Sequence, residues 1–141
     1  MRGRGYFYFN YYIGALNMSS LRLVGGKVSF SSNQCMSLSG MPSLEEVGGH
    51  LYLHRSPYSS CENCAGPSNF SQLVTIGSSL QISQSMAGVE TLMLSRLQSV
   101  GGSVKISDNS DELQSIDMAA LTTVAGSLSV RGNADLSALD I

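Results

Sequence analysis

Four side chains with metal-binding chemistry fall close together in the 141-residue chain: His50, His54, Cys61 and Cys64, spaced as His-x3-His and Cys-x2-Cys. On paper these are four zinc ligands. The residues around the histidines alternate apolar and polar, however, which is the period of a strand, and two histidines four residues apart on a strand stand about 13 Å from each other. They cannot share one ion. One histidine with the two cysteines is the arrangement that remains, and a single Cys-x2-Cys without a second pair is too little to assign a metal or a redox centre. We assign no metal and no cofactor. With Cys35 the cysteines number three, an odd count that cannot be fully paired within one chain. The remaining carriers of chemistry are acidic: Asp108, Asp111, Glu112 and Asp117. Some parallel β-helices cleave polysaccharides with carboxylates gathered on one face, but these four occur in a single stretch, and Asp108-Asn-Ser-Asp-Glu112 reads as a solvated turn. It also lacks the glycine and the spaced acids of an EF-hand loop. No P-loop, nucleophile elbow or metalloprotease helix is present, and two histidines leave few carriers for acid–base work. The expectation is a chain without catalytic activity.

The elements that hold these residues are set by a repeat. The segments Leu21-Arg-Leu-Val-Gly-Gly, Leu44-Glu-Glu-Val-Gly-Gly, Leu73-Val-Thr-Ile-Gly-Ser, Leu97-Gln-Ser-Val-Gly-Gly and Leu121-Thr-Thr-Val-Ala-Gly begin 23, 29, 24 and 24 residues apart. Each is followed at +7 and +9 by an apolar pair, from Val28/Phe30 to Leu128/Val130, and at +12 by Asn33, Ser56, Ser85, Asn109 or Asn133. The pair alternates with polar residues, as a half-buried strand does. A second apolar cluster closes most repeats, as at Leu113, Ile116 and Met118. A unit of this length with two short strands and no 3.6-residue pattern cannot bury its apolar face alone, so the units must stack. This predicts an all-β, right-handed β-solenoid of about five turns of 23–29 residues. The paired glycines mark a corner that needs either positive φ or close approach of backbone. The Asn row marks the next corner, where stacked amides can hydrogen-bond along the axis.

The composition then makes sense. Serine (26), glycine (15) and proline (3) together reach the range of disordered chains. Disorder also expects few apolar residues and high net charge, whereas 43 % of this chain is hydrophobic and its net charge is −2. Neither half is basic enough to indicate nucleic acid as a partner, and no apolar run is long enough to span a membrane.

The phrases LRLVGGKVSFSSN and LQSVGGSVKISDNSDELQSIDMAALTTVAGSLSVRGNADLSALDI resemble the leucine-rich-repeat-like units of the receptor L-domain family. The likeness is to the versions in fungal GPI-anchored cell-wall proteins and microbial-eukaryote surface proteins. It covers residues 13–141, read as one repeat domain preceded by an aromatic leader or N-terminal cap at 1–12. It implies a non-catalytic domain, extracellular or at the cell surface, that serves ligand binding, adhesion or wall organisation. Arg2 and Arg4 before an aromatic run have the order of an export leader, but Asn10 interrupts it and no small-x-small cleavage site follows promptly. Ile141 falls in mid-repeat, which leads us to expect an incomplete domain at that end.

Three features bear on recognition. The long second repeat holds its excess in an inserted loop, residues 56–67, with Cys61 and Cys64, while Cys35 lies just past the matching corner of the turn before. Turns stack about 4.8 Å apart, so one disulfide from Cys35 to Cys61 or Cys64 is expected in an oxidising compartment. Asn17-Met-Ser and Asn69-Phe-Ser are glycosylation sequons, with Asn69 in or beside the loop and the better exposed candidate. Finally, the outward positions +6, +8 and +10 of the first strand read as a flat face of mostly serine, broken by His50, Tyr52 and His54. With Tyr58 from the loop these form the candidate contact site for a protein or glycan, since tyrosine favours interfaces. The alternatives are a structural wall or surface component without a specific ligand and, third, a polysaccharide-active enzyme.

Overall fold

The computed structural model describes residues 5–8, 18–31, 41–54, 68–84, 90–109 and 113–141. It is an all-β solenoid: among the described residues there is no helix, and all strand pairs are parallel. Three sheets form its walls. The largest has six strands in the order β1 (Gly5–Tyr8), β3 (Val28–Ser31), β5 (Leu51–His54), β8 (Leu80–Ser83), β11 (Val104–Ser107), β14 (Leu128–Arg131). The second contains β2 (Leu23–Val24), β4 (Glu46–Val47), β7 (Thr75–Ile76), β10 (Ser99–Val100) and β13 (Thr123–Val124). The third contains β6 (Ser68–Asn69), β9 (Thr91–Met93), β12 (Ser115–Asp117) and β15 (Ala138–Asp140). About four turns carry all three walls among the described residues, against the five expected from the repeat.

Each turn therefore has three strands where the sequence pattern indicates two. The extra strand is the L-x-x-V segment itself. Its strand is two residues long, too short for alternation to be visible, and only pairing with the turns above and below makes it a sheet. The repeated leucine closes a tight turn just before that strand. Its amide donates to the carbonyl three residues back: Leu44 to Met41 at 3.2 Å, Leu73 to Phe70 at 2.9 Å, Leu97 to Leu94 at 2.9 Å and Leu121 to Met118 at 2.8 Å. Both ends of this turn point inward.

The register is that of the repeat. Val28, Leu51, Leu80, Val104 and Leu128 lie side by side, as do Phe30, Leu53, Ile82, Ile106 and Val130. The interior is thus made of columns of like residues, and Leu44, Leu73 and Leu97 are fully buried in theirs. Complete burial of one such side chain is worth about 1.5–3 kcal/mol, and each turn supplies several. Leu128, Leu139 and Ile141, in the last described turn, are 41–52 % exposed, because no described strand covers them on their far side.

At the glycine corner, the structure decides between the two reasons for glycine. None of the repeat's paired glycines has positive φ; Gly132 is the one described glycine that does. Close approach is the cause. A Cβ on Gly48 would sit 2.6 Å from the carbonyl oxygen of Gly25, and a Cβ on Gly77 or Gly101 would press on the carbonyl oxygen of Gly48 or Gly77 in the turn before. The Asn corner also stacks where it is described. Asn109 is buried, and its Nδ2 and backbone amide both donate to Asn133 Oδ1, at 2.9 and 3.2 Å. Asn133 Nδ2 in turn donates to Ile106 O at 3.2 Å.

Candidate functional site

The outer face of the six-stranded sheet carries the candidate contact residues. Parallel pairing sets Ser29, Tyr52 and Gln81 in one row and Ser31, His54 and Ser83 in the next. Tyr52 is the centre of a small cluster. Its ring lies 5.1 Å from that of His50 between centroids, and Lys27 Nζ stands 4.4 Å from its centroid. A cation over an aromatic face is worth about 0.5–1 kcal/mol at an exposed site. The backbone amide of Ser79 donates to His50 Nδ1 at 3.2 Å, which makes that nitrogen an acceptor. Tyr52 Oη, also 3.2 Å from it, is then the second donor, and in the neutral ring the hydrogen is on Nε2. On the other side, His54 Nδ1 hydrogen-bonds Ser83 Oγ at 2.8 Å. Tyr52 and His54, both half-buried, line a shallow open depression of about 250 Å³ together with Ser29, Ser31 and Gln81.

Fixed rings and hydroxyls around a depression suit hydrogen bonding and stacking, since little side-chain freedom is left to lose on binding. Of the four residues expected at the site, His50, Tyr52 and His54 are brought together, and Tyr58 lies outside the described residues. Lys27 and Gln81 join them. Both were legible in the repeat alignment, Lys27 at the same offset as His50 and Gln81 at the same offset as Tyr52. The serines at these outward positions are less open to solvent than their place on the face suggests. Ser29, Ser83 and Ser107 are 4 %, 5 % and 1 % exposed. Serine reaches little beyond the backbone, and each has a larger neighbour in register, Tyr52, His54 and Arg131 respectively.

The other candidates are spread apart. Cys35, Cys61, Cys64 and Asn17 lie outside the described residues, as do Asp111 and Glu112. The backbone of Asn69 is in β6, paired with Met93, beside the inserted segment. Asp108 is exposed at the corner after β11, whereas Asp117 belongs to β12 in a different wall, its Oδ1 accepting the Ala119 amide at 3.2 Å. Among the described residues, no three His, Cys, Asp or Glu side chains converge on a point where an ion would sit. Among the described residues there is no helix long and apolar enough to cross a membrane. Comparison of the chain with protein-family models, with curated proteins and with solved structures finds no match.

Proposed function

We propose that this chain is a non-catalytic recognition or adhesion module, of the receptor L-domain kind, working outside the cell or at its surface. It binds a protein or glycan partner through the outer face of the six-stranded sheet. The observation that carries the reading is the Tyr52 cluster, an aromatic ring flanked by Lys27 and His50 at the edge of a polar depression on an otherwise small-residue face. A solvated wall has no need of such an arrangement. Extracellular placement rests on the resemblance of the repeat phrases and on the sequons at Asn17 and Asn69.

The test is a binding screen against glycans and surface proteins, followed by Tyr52→Ala and His54→Ala. A residue at the centre of a contact site costs 2 kcal/mol or more on truncation, so affinity falls about 30-fold or more. The melting temperature stays nearly constant, since neither side chain belongs to the core. Unchanged capture by the double variant refutes the site and favours the structural reading, a wall or surface component without a specific ligand.

A further inference from the structure

Charge is sorted among the walls of the solenoid. The described cations on the outer face of the six-stranded sheet are Lys27, Lys105 and Arg131, accompanied by His50 and His54, and no described carboxylate stands on its strands. The described acids are placed elsewhere. Glu45 and Glu46 belong to the second wall, where Glu45 pairs with Arg22 at 2.6 Å, and Asp117 and Asp140 belong to the third. Glu90 immediately precedes β9, and Asp135 lies in the last turn before β15. Asp108 is at the rim: its amide donates to Arg131 O at 3.1 Å, and its carboxylate lies beside Gly132, past the end of the strand. Among the described residues, the outer face of the six-stranded sheet thus carries cations and no carboxylate on its strands, in a chain of net charge −2.

The three cations occupy successive outward offsets and run diagonally across the sheet. Lys27 precedes β3, Lys105 is in β11 and Arg131 is in β14, four strands from β3. At about 4.8 Å per strand and 3.3 Å per residue, the diagonal from Lys27 to Arg131 is about 23 Å. Tyr52 stands between the strand positions of Lys27 and Lys105, and the depression opens beside this diagonal, toward Ser31 and His54. We propose that this face binds an acidic polysaccharide, a polymer of sugars carrying scattered carboxylate or sulfate groups, laid across the strands with a sugar on Tyr52 and its charges on Lys27, Lys105 and Arg131. The inference rests on the recognition reading above and narrows it to one ligand class.

Charge density decides against nucleic acid. Duplex DNA presents a phosphate about every 1.7 Å, about 13 over this length, against three cations on this face. Face composition decides against a protein partner. Protein interfaces bury an apolar, aromatic-rich centre and are depleted in serine and lysine, whereas the depression is lined by Ser29, Ser31, His54 and Gln81 around one tyrosine. Hydroxyl, amide and imidazole groups match the hydroxyls of a sugar, and the exposed part of the ring matches its C–H face.

The experiment measures binding of the whole chain to polygalacturonate, to dextran sulfate and to neutral dextran of matched length, with duplex DNA and polyglutamate as competitors. Either acidic polysaccharide should bind at least tenfold more tightly than neutral dextran and lose affinity as salt rises. Lys105→Gln and Arg131→Gln should each weaken it three- to tenfold, and Asp108→Asn should strengthen it. The comparison between polygalacturonate and dextran sulfate identifies which acid group is preferred. Equal binding of neutral dextran, no effect of the Lys105→Gln/Arg131→Gln double variant, or tighter binding of DNA or polyglutamate each overturns the proposal. So does the absence of binding to any of the polysaccharides. Tyr52→Ala separates the two levels: if no polysaccharide binds but this variant abolishes capture of some other partner, recognition stands while the acidic-sugar class falls. If it alters no binding at all, the recognition reading falls too.

Discussion

Replacing Gly77 with alanine tests whether the corner glycines exist for the approach of successive turns. The added Cβ would press on the Gly48 carbonyl oxygen and lie 2.8 Å from its carbonyl carbon, where carbon atoms are at ease only near 3.5–4.0 Å. Both obstacles are backbone, so no rotamer change relieves them. The turns are also held at their spacing: the Gly77 amide donates to Val47 O at 2.8 Å, and the next glycine of the column, Gly101, donates to Ile76 O at 2.9 Å. Overpacking of this kind costs about 1–3 kcal/mol. The reduced freedom of alanine in the unfolded chain offsets about 0.4–1 kcal/mol of that. A net loss of about 1–2 kcal/mol remains, a fall in melting temperature of about 3–8 °C for a chain between the small and medium size ranges. Urea unfolding followed by far-ultraviolet circular dichroism measures it, with an unchanged m-value showing that the folded state is still the same. Ala125, at the equivalent place in the last turn, supplies the control. Ala125→Gly should change stability by less than about 1 kcal/mol, since the added backbone freedom is opposed by removal of a Cβ from the same crowded corner. A Gly77→Ala chain as stable as the parent, within about 0.5 kcal/mol, would falsify the close-approach account and leave turn geometry as the reason for glycine.

The other predictions concern the columns that run along the axis. Leu97→Ala, at a fully buried position in the middle of the stack, should cost about 2–5 kcal/mol, and Leu121→Ala, half-buried in the last turn, distinctly less, both by chemical denaturation. Asn133→Ala strips Asn109 of its acceptor for two donors and should cost about 1–3 kcal/mol, with faster amide exchange at Asn109 as the local signature. Ser107 Oγ is buried and has no hydrogen-bond partner among the described residues, so Ser107→Ala should stabilise the chain, by about 1 kcal/mol, and a loss of stability would refute this. Arg22→Gln, which removes an exposed ion pair, should change stability by less than about 1 kcal/mol and less still at high salt.

Much of the candidate site could be read in the sequence because the repeat fixes register. Once Leu21, Leu44 and Leu73 are aligned, Lys27, His50 and Ser79 must be neighbours, and so must Ser29, Tyr52 and Gln81. What alignment could not supply is which neighbours touch. The ring of Tyr52 leans toward His50 and Lys27, whereas His54 turns to Ser83. Those choices depend on rotamers and on the Ser79 amide aimed at His50, and neither has a signature in residue type.

The periodicity of leucine, valine and glycine determined by itself that the chain is a stack of β turns, which side chains point inward, and which residues share a row. It could do so because period-two alternation and a constant repeat leave one register that buries the apolar set. Only the tertiary structure decided that the L-x-x-V segment is a third wall, that the glycines serve close approach rather than positive φ, and that serines on the outer face are buried. Each of these depends on what the adjacent turn places within a few ångströms, and that distance is set by inter-turn hydrogen bonds rather than by any local preference of the residues themselves.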